Sequence, residues 1–195
     1  LEDYNGAIVG VATILLAIIT ARLVALGRDQ GLTIKRQLRA YVFIDGASLI
    51  DGTNMQPPPF IDRTNQPGIS LGVRNTGQTP AKRVVHWAHI KVEPVSGEWA
   101  VKPPDSLSHT AAPAIIAPQQ MNSKFLWLDR TLSAQEKTGI EGGTHAIYLY
   151  GRIEYIDIFG DEHWSIYRLR YTNFMWPPYL NNGTMNFCDE GNDTD

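Results

Sequence analysis

Residues 145–172 read His145-Ala-Ile-Tyr-Leu-Tyr-Gly-Arg-Ile-Glu-Tyr-Ile-Asp-Ile-Phe-Gly-Asp-Glu-His-Trp-Ser-Ile-Tyr-Arg-Leu-Arg-Tyr-Thr172. Leu149, Gly151, Ile153 and Tyr155 fall on one face of the first half, and Tyr148, Tyr150, Arg152 and Glu154 on the other. That period of two belongs to a strand, not a helix. Phe159-Gly160-Asp161-Glu162 supplies turn formers before a second run of the same kind. The stretch is therefore a β-hairpin, and its pattern recurs upstream. Strands are expected at 40–50, 69–75, 83–93, 121–128, 145–157 and 164–172, with a short one at 98–101. Pro57-Pro58-Pro59, Pro103-Pro104, Pro113 and Pro118 interrupt the rest. Proline donates no ladder hydrogen bond, so none of these segments is a central strand. Ser133-Ala-Gln-Glu136 has the spacing of a capping box, and Gly142-Gly143 stops the short helix it starts. About seven short strands with one helical turn in a connection place the domain in the all-β class, as an antiparallel β-sandwich.

Ahead of the strands lies a different kind of sequence. Residues 6–26 carry one charge, Arg22, and are otherwise almost wholly apolar. At about 1.5 Å per residue, such a helix crosses a hydrocarbon core of roughly 30 Å. A core helix is rarely apolar all round for this length, and the residues before the run include no basic n-region of a signal peptide. A retained single-pass transmembrane helix within 1–27 is expected, with the lipid bilayer as its first partner. Gly6 and Gly10 form a small-residue pair that would let a second helix approach closely. Residues 28–39 continue as a basic juxtamembrane stalk, expected to lie as a helix at the membrane surface, with Gly27 and Gly31 weakening it. Glu2 and Asp3 precede the apolar run, whereas Arg28, Lys35, Arg36 and Arg39 follow it. The positive-inside rule then puts the C-terminal domain in the cytoplasm.

The chain has 195 residues and a formal net charge of −3. A weakly acidic balance argues against nucleic acid as the main partner, and the basic stretch beside the anchor suits anionic headgroups. The single cysteine, Cys188, forms no internal disulfide. The sandwich is expected over 40–173 and a tail over 174–195. The tail's final part, 181–195, is rich in Asn, Asp and Gly and is expected to be disordered on its own. Phe174, Trp176 and Tyr179 are unusual for a free tail and are expected to pack back on the sandwich or contact a partner.

The run from Ile69 to Val84, with Asn75-Thr-Gly77 and Ala81 inside it, resembles the strand–turn–strand signature of bacterial immunoglobulin-like domains. The sequence accounts for it by Asn and Gly accepting positive φ at the turn and Ala tucking under the sheet. Arg39-Ala40-Tyr41-Val42 and Gly151-x-x-x-Tyr155-x-Asp157-x-Phe159-Gly160 extend the likeness over most of the chain. It is similar to an uncharacterised bacterial family with one N-terminal membrane helix, a short stalk and an immunoglobulin-like β-sandwich. The resemblance implies that fold and brings no activity. Many immunoglobulin-like relatives are extracytoplasmic, so a periplasmic domain is the alternative to the charge-based side.

Candidate chemistry is sparse. His86 and His89 are three apart, which on a strand puts them on opposite faces. Asp157, Asp161 and His163 are the weak metal candidates, a cluster of carboxylates and one imidazole at the hairpin turn; turn formation alone accounts for them. Cys188 lies beside Asp189, which raises a thiol pKa and disfavours a thiolate. Trp87 and Trp127 suit the sandwich interior. No nucleophile elbow, phosphate loop or His-Glu-x-x-His motif occurs. The sequence thus points to a non-catalytic, membrane-anchored interaction or structural protein, an accessory subunit whose partners are other membrane subunits. No cofactor, nucleic acid or small-molecule substrate is implied. The alternative is a membrane-tethered ligand- or ion-binding module using the Asp157–His163 turn.

Overall fold

The structure, a computed structural model, describes residues 2–50, 66–95, 102–107, 114–172 and 183–195, with backbone alone for 2–9. Two compact units emerge, Leu1–Arg39 and Ala40–Asp195.

The first unit is one helix, α1 (Glu2–Leu38). It runs through Gly27 and Gly31 without interruption, so the expected anchor and stalk are one element. Its 37 residues make a rod of about 55 Å. From Gly10 to Leu38 it is long and apolar enough to cross a bilayer, and none of that span is buried in the protein. The hydroxyls of Thr20 and Thr33 donate to the carbonyls of Leu16 and Asp29, at 2.8 and 3.0 Å. This back-bonding satisfies each hydroxyl within the helix itself.

The second unit holds β1 (Val42–Ile50), β2 (Gly68–Asn75), β3 (Ala81–Pro94), β4 (Ala114–Ile116), β5 (Met121–Trp127), α2 (Ala134–Glu141), β6 (His145–Ile156), β7 (Glu162–Tyr171), β8 (Asn186–Phe187) and β9 (Asp193–Thr194). The six main strands start and end within about two residues of the expected bounds. The possible strand at 98–101 lies outside the described residues. The short β4 was not anticipated; its three residues sit between Pro113 and Pro118 and pair only with β3, as an edge strand. The capping box closes as expected, with Ser133 and Glu136 bonding each other's backbone N–H.

All pairings are antiparallel and form two sheets, β1-β2-β5 and β4-β3-β6-β7-β8, with β9 also on β7. The chain changes sheet between β2 and β3, between β4 and β5, and through α2 between β5 and β6. One core joins the two: Val42, Leu49, Ile69 and Leu71 from the first sheet meet Ile147, Leu149, Ile153 and Leu169 from the second. Burial of these aliphatic side chains, each worth about 1.5–3 kcal/mol, drives the assembly.

Asn75 locks the turn that carries the immunoglobulin-like resemblance. It is fully buried. Its Oδ1 accepts from the N–H of Tyr41 (3.2 Å) and Gly77 (2.9 Å), and its Nδ2 donates to the carbonyls of Thr79 (2.8 Å) and Ile116 (3.1 Å). The turn departs from the expected positive-φ geometry. Neither Asn75 nor Gly77 has positive φ; the residue is a hydrogen-bond hub tying β1, the β2–β3 turn and β4. Ala81 is buried as expected.

The tail is also corrected. Residues 183–195 fold against the domain. Leu49 donates to the carbonyl of Gly183 (2.7 Å) and Met185 to that of Ala47 (2.9 Å), which pairs the tail with β1. β8 and β9 then pair with β7. The segment stitches the free edges of the two sheets, and Met185 enters the core between them. The tail's polar composition hid this, because its stability comes from edge hydrogen bonds offered by β1 and β7. Phe174, Trp176 and Tyr179 lie outside the described residues.

Candidate functional site

Three places collect the chemistry. The hairpin turn is the first. The N–H groups of Phe159 (2.8 Å) and Asp161 (3.0 Å) donate to Asp157 Oδ1, while Asp157 Oδ2 lies 3.2 Å from His163 Nε2. On the other side of the ring, His163 Nδ1 is 2.6 Å from Oδ2 of Asp195. Burial pushes the Asp157 carboxyl up, but the Asp161 N–H, the His163 ring and the Phe159 N–H outweigh it and hold it below its ordinary value. The three metal candidates separate accordingly. Asp157 and His163 touch, and Asp161 meets them through its backbone. The two carboxylates on His163 approach opposite nitrogens, so they do not converge on one point. Among the described residues no three His, Cys, Asp or Glu groups form a metal-ligand set. The arrangement shapes the turn and clasps the tail to it.

The outer face of β3, β6 and β7 is the second place. Register sets Trp87 opposite Arg152 and His89 opposite Tyr150, with Arg168 beyond Tyr150 on β7. Trp87 therefore lies outside the two-sheet core, contrary to expectation, and packs against the separate cluster of Ala146, Tyr148 and Tyr150. The guanidinium of Arg168 covers Tyr148 at 4.8 Å and Tyr150 at 5.6 Å, and that of Arg152 covers Trp164 at 5.0 Å. Tyr150 donates to Glu93 Oε2 at 2.6 Å, and Lys91 pairs with Glu93 at 2.6 Å. Burial opposes ionisation of Glu93, yet the Lys91 and Tyr150 hydrogen bonds hold its carboxyl below the usual range. Tyr148 and Tyr150 are themselves buried, so this face presents the half-buried Trp87, Trp164, Arg152 and Arg168, residue types enriched where proteins contact one another. Cys188 packs against this cluster, and its thiol is pushed up chiefly by burial, with Asp189 a lesser cause. His89 is exposed here, while His86 points the other way, as the spacing implied.

The third place is the inward side of that sheet. His86 Nε2 lies 2.5 Å from the Tyr167 hydroxyl. Burial, with a smaller contribution from Lys124, pushes the imidazole down to about 3. Burial also pushes the Tyr167 phenol up. Both groups are neutral near pH 7, and the pair is a satisfied core contact.

On α1, the surroundings of Gly6 lie outside the described residues. Gly10 has no atom within 4 Å of where a Cβ would stand. Comparison of the chain with protein-family models, curated proteins and solved structures finds no match.

Proposed function

We propose that the chain is a single-pass, membrane-anchored, non-catalytic interaction module, an accessory subunit of a larger membrane assembly. The observation that carries this is α1: a span of membrane length, Gly10–Leu38, whose large apolar side chains from Val11 to Leu38 are all exposed. Leaving that surface in water is unfavourable at about 25 cal/mol per Å2, so lipid or a neighbouring helix covers it. Gly10 leaves space for such a neighbour.

The sheet domain is read as an immunoglobulin-type sandwich. Lettering its first seven strands A, B, C, C′, E, F and G puts A-B-E against C′-C-F-G, which supports that class. The aromatic–arginine face of C, F and G is the partner surface in this reading. The basic flank of α1 favours a cytoplasmic domain, with the periplasm as the other side.

Isolation of the full chain from membranes in mild detergent tests the proposal. A stoichiometric membrane partner, lost on Trp87→Glu or Arg168→Glu, is the expected result. A lone chain that fractionates with lipid only would overturn the accessory role. A carboxy-terminal reporter active on one side of the membrane decides the side.

A further inference from the structure

A cavity of about 370 Å3 opens at the turn end of the outer face, between β3, β6, β7 and residues 105–107. Its size suits a small ligand. Leu107 forms part of the wall and is pinned by its N–H to Glu154 Oε2, at 3.1 Å. Two arginines line the cavity. Arg152 is fixed by Glu154 at Nε (2.6 Å) and stacks on Trp164, which leaves its two Nη nitrogens without a partner among the described residues. Arg83 sits in a β-bulge that shifts the register of β3 against both β4 and β6, at φ 51°. A bulge re-aims a side chain, and a non-glycine residue at positive φ is strained. The strain places a guanidinium that makes no hydrogen bond or ion pair among the described residues. Asp105 and Glu162 line the same cavity and are equally unengaged among the described residues. The charges of both signs thus stand in one concavity without pairing each other.

We propose that this cavity binds a small zwitterion of the α-amino-acid class with an apolar side chain. Arg83 and Arg152 take its carboxylate, in the forked geometry that guanidinium groups favour. Asp105 and Glu162 take its ammonium. Leu107 and Trp164 receive its side chain. A simple anion fits less well, because it would face two unpaired carboxylates without an ammonium to offset them.

Calorimetry on the full chain in detergent, with phenylalanine as the probe, tests this. Saturable binding is expected. Phenylpropionate and phenethylamine, which each lack one charge, should bind about tenfold or more weaker, the loss expected for a charge-assisted contact. Arg83→Gly removes the guanidinium and relieves the strained φ together. It should weaken binding about tenfold without lowering the melting temperature, and Glu162→Gln should weaken it similarly. Absence of saturable phenylalanine binding overturns the proposal. So does equal binding of either analogue, or Arg83→Gly binding like the parent protein.

Discussion

Gly151 and Tyr167 stand directly opposite each other across β6 and β7, and the Tyr167 ring occupies the space a Gly151 side chain would need. A Cβ on Gly151 would overlap Cζ and the hydroxyl of Tyr167. That hydroxyl in turn meets His86 on β3. One glycine therefore lets a tyrosine cross β6 to reach a third strand. This gives the glycine of the hairpin signature a physical cause that periodicity alone does not supply.

Gly151→Ala is accordingly expected to cost about 1–3 kcal/mol through overpacking. Urea unfolding of the full chain in detergent measures it. Tyr167→Ala should remove most of the penalty, so the double variant should be less destabilised than the sum of the singles. Additive effects would show that the two residues do not compete for one space.

Asn75→Ala should cost more than about 3 kcal/mol, because four backbone groups, two of them in buried hydrogen bonds, lose their partner at once. Asn75→Asp keeps the acceptor for Tyr41 and Gly77 but loses both donors, and should fall between. An Ala variant within about 0.5 kcal/mol of the parent, the range of an ordinary surface change, would contradict the hub.

His86 and Asp157 make stability depend on pH in two separate windows. The folded His86 is held near 3 against an ordinary 6.5, so the unfolded chain binds its proton first as the pH falls. Stability should therefore decline below about pH 6.5, with a slope of up to about 1.4 kcal/mol per unit from this group. His86→Gln should flatten that limb. The Asp157 carboxyl is lowered from 3.8 in the fold, so its contribution is present above about pH 4 and lost below it. Asp157→Asn should flatten only this acid limb. Denaturant midpoints between pH 3 and 8 separate the two.

Asp195 and Gly183 hold opposite ends of the folded tail. Asp195→Asn weakens the charge-assisted contact to His163 and should speed amide exchange in β8 and β9 while leaving β6 protected. Gly183 has φ 55°, and a Cβ there would come within 2.6 Å of the Leu49 carbonyl. Gly183→Ala should lift the tail from β1, withdraw Met185 from the core and cost about 2 kcal/mol or more. Unchanged exchange along 183–195 in both variants would contradict the stitching.

Removing residues 1–39 should leave a soluble domain with one cooperative transition, since among the described residues the core draws on 40–195 alone. The full chain should resist alkaline extraction from membranes. Release of the full chain into the soluble fraction would count against a spanning α1.

Much of the fold is written in local pattern. The six main strands, the two faces of β6, the capping box at Ser133 and the length of α1 follow from periods, turn formers and composition, each a property of neighbouring residues. The hairpin turn was legible too, although its link to Asp195 was not, because His163 and Asp195 lie 32 positions apart in sequence. Trp87 was misplaced for a related reason. An aromatic residue on a strand suits either face, and only the register with Arg152 and the packing against the Ala146, Tyr148 and Tyr150 cluster show that it lies outside the core.

The sequence by itself determined an apolar helix of membrane length, a period-two domain and where most of the chain turns. These are encoded in short windows, where backbone preference and alternating polarity are read directly. Only the tertiary structure decided that Asn75 binds four backbone groups from three segments, that Gly151 makes room for Tyr167, that the polar tail closes the seam between β1 and β7, and that Arg83 and Arg152 share one cavity. Each of these depends on which strand edges and faces meet. That pairing is a long-range outcome of burying one common core, and no local window contains it.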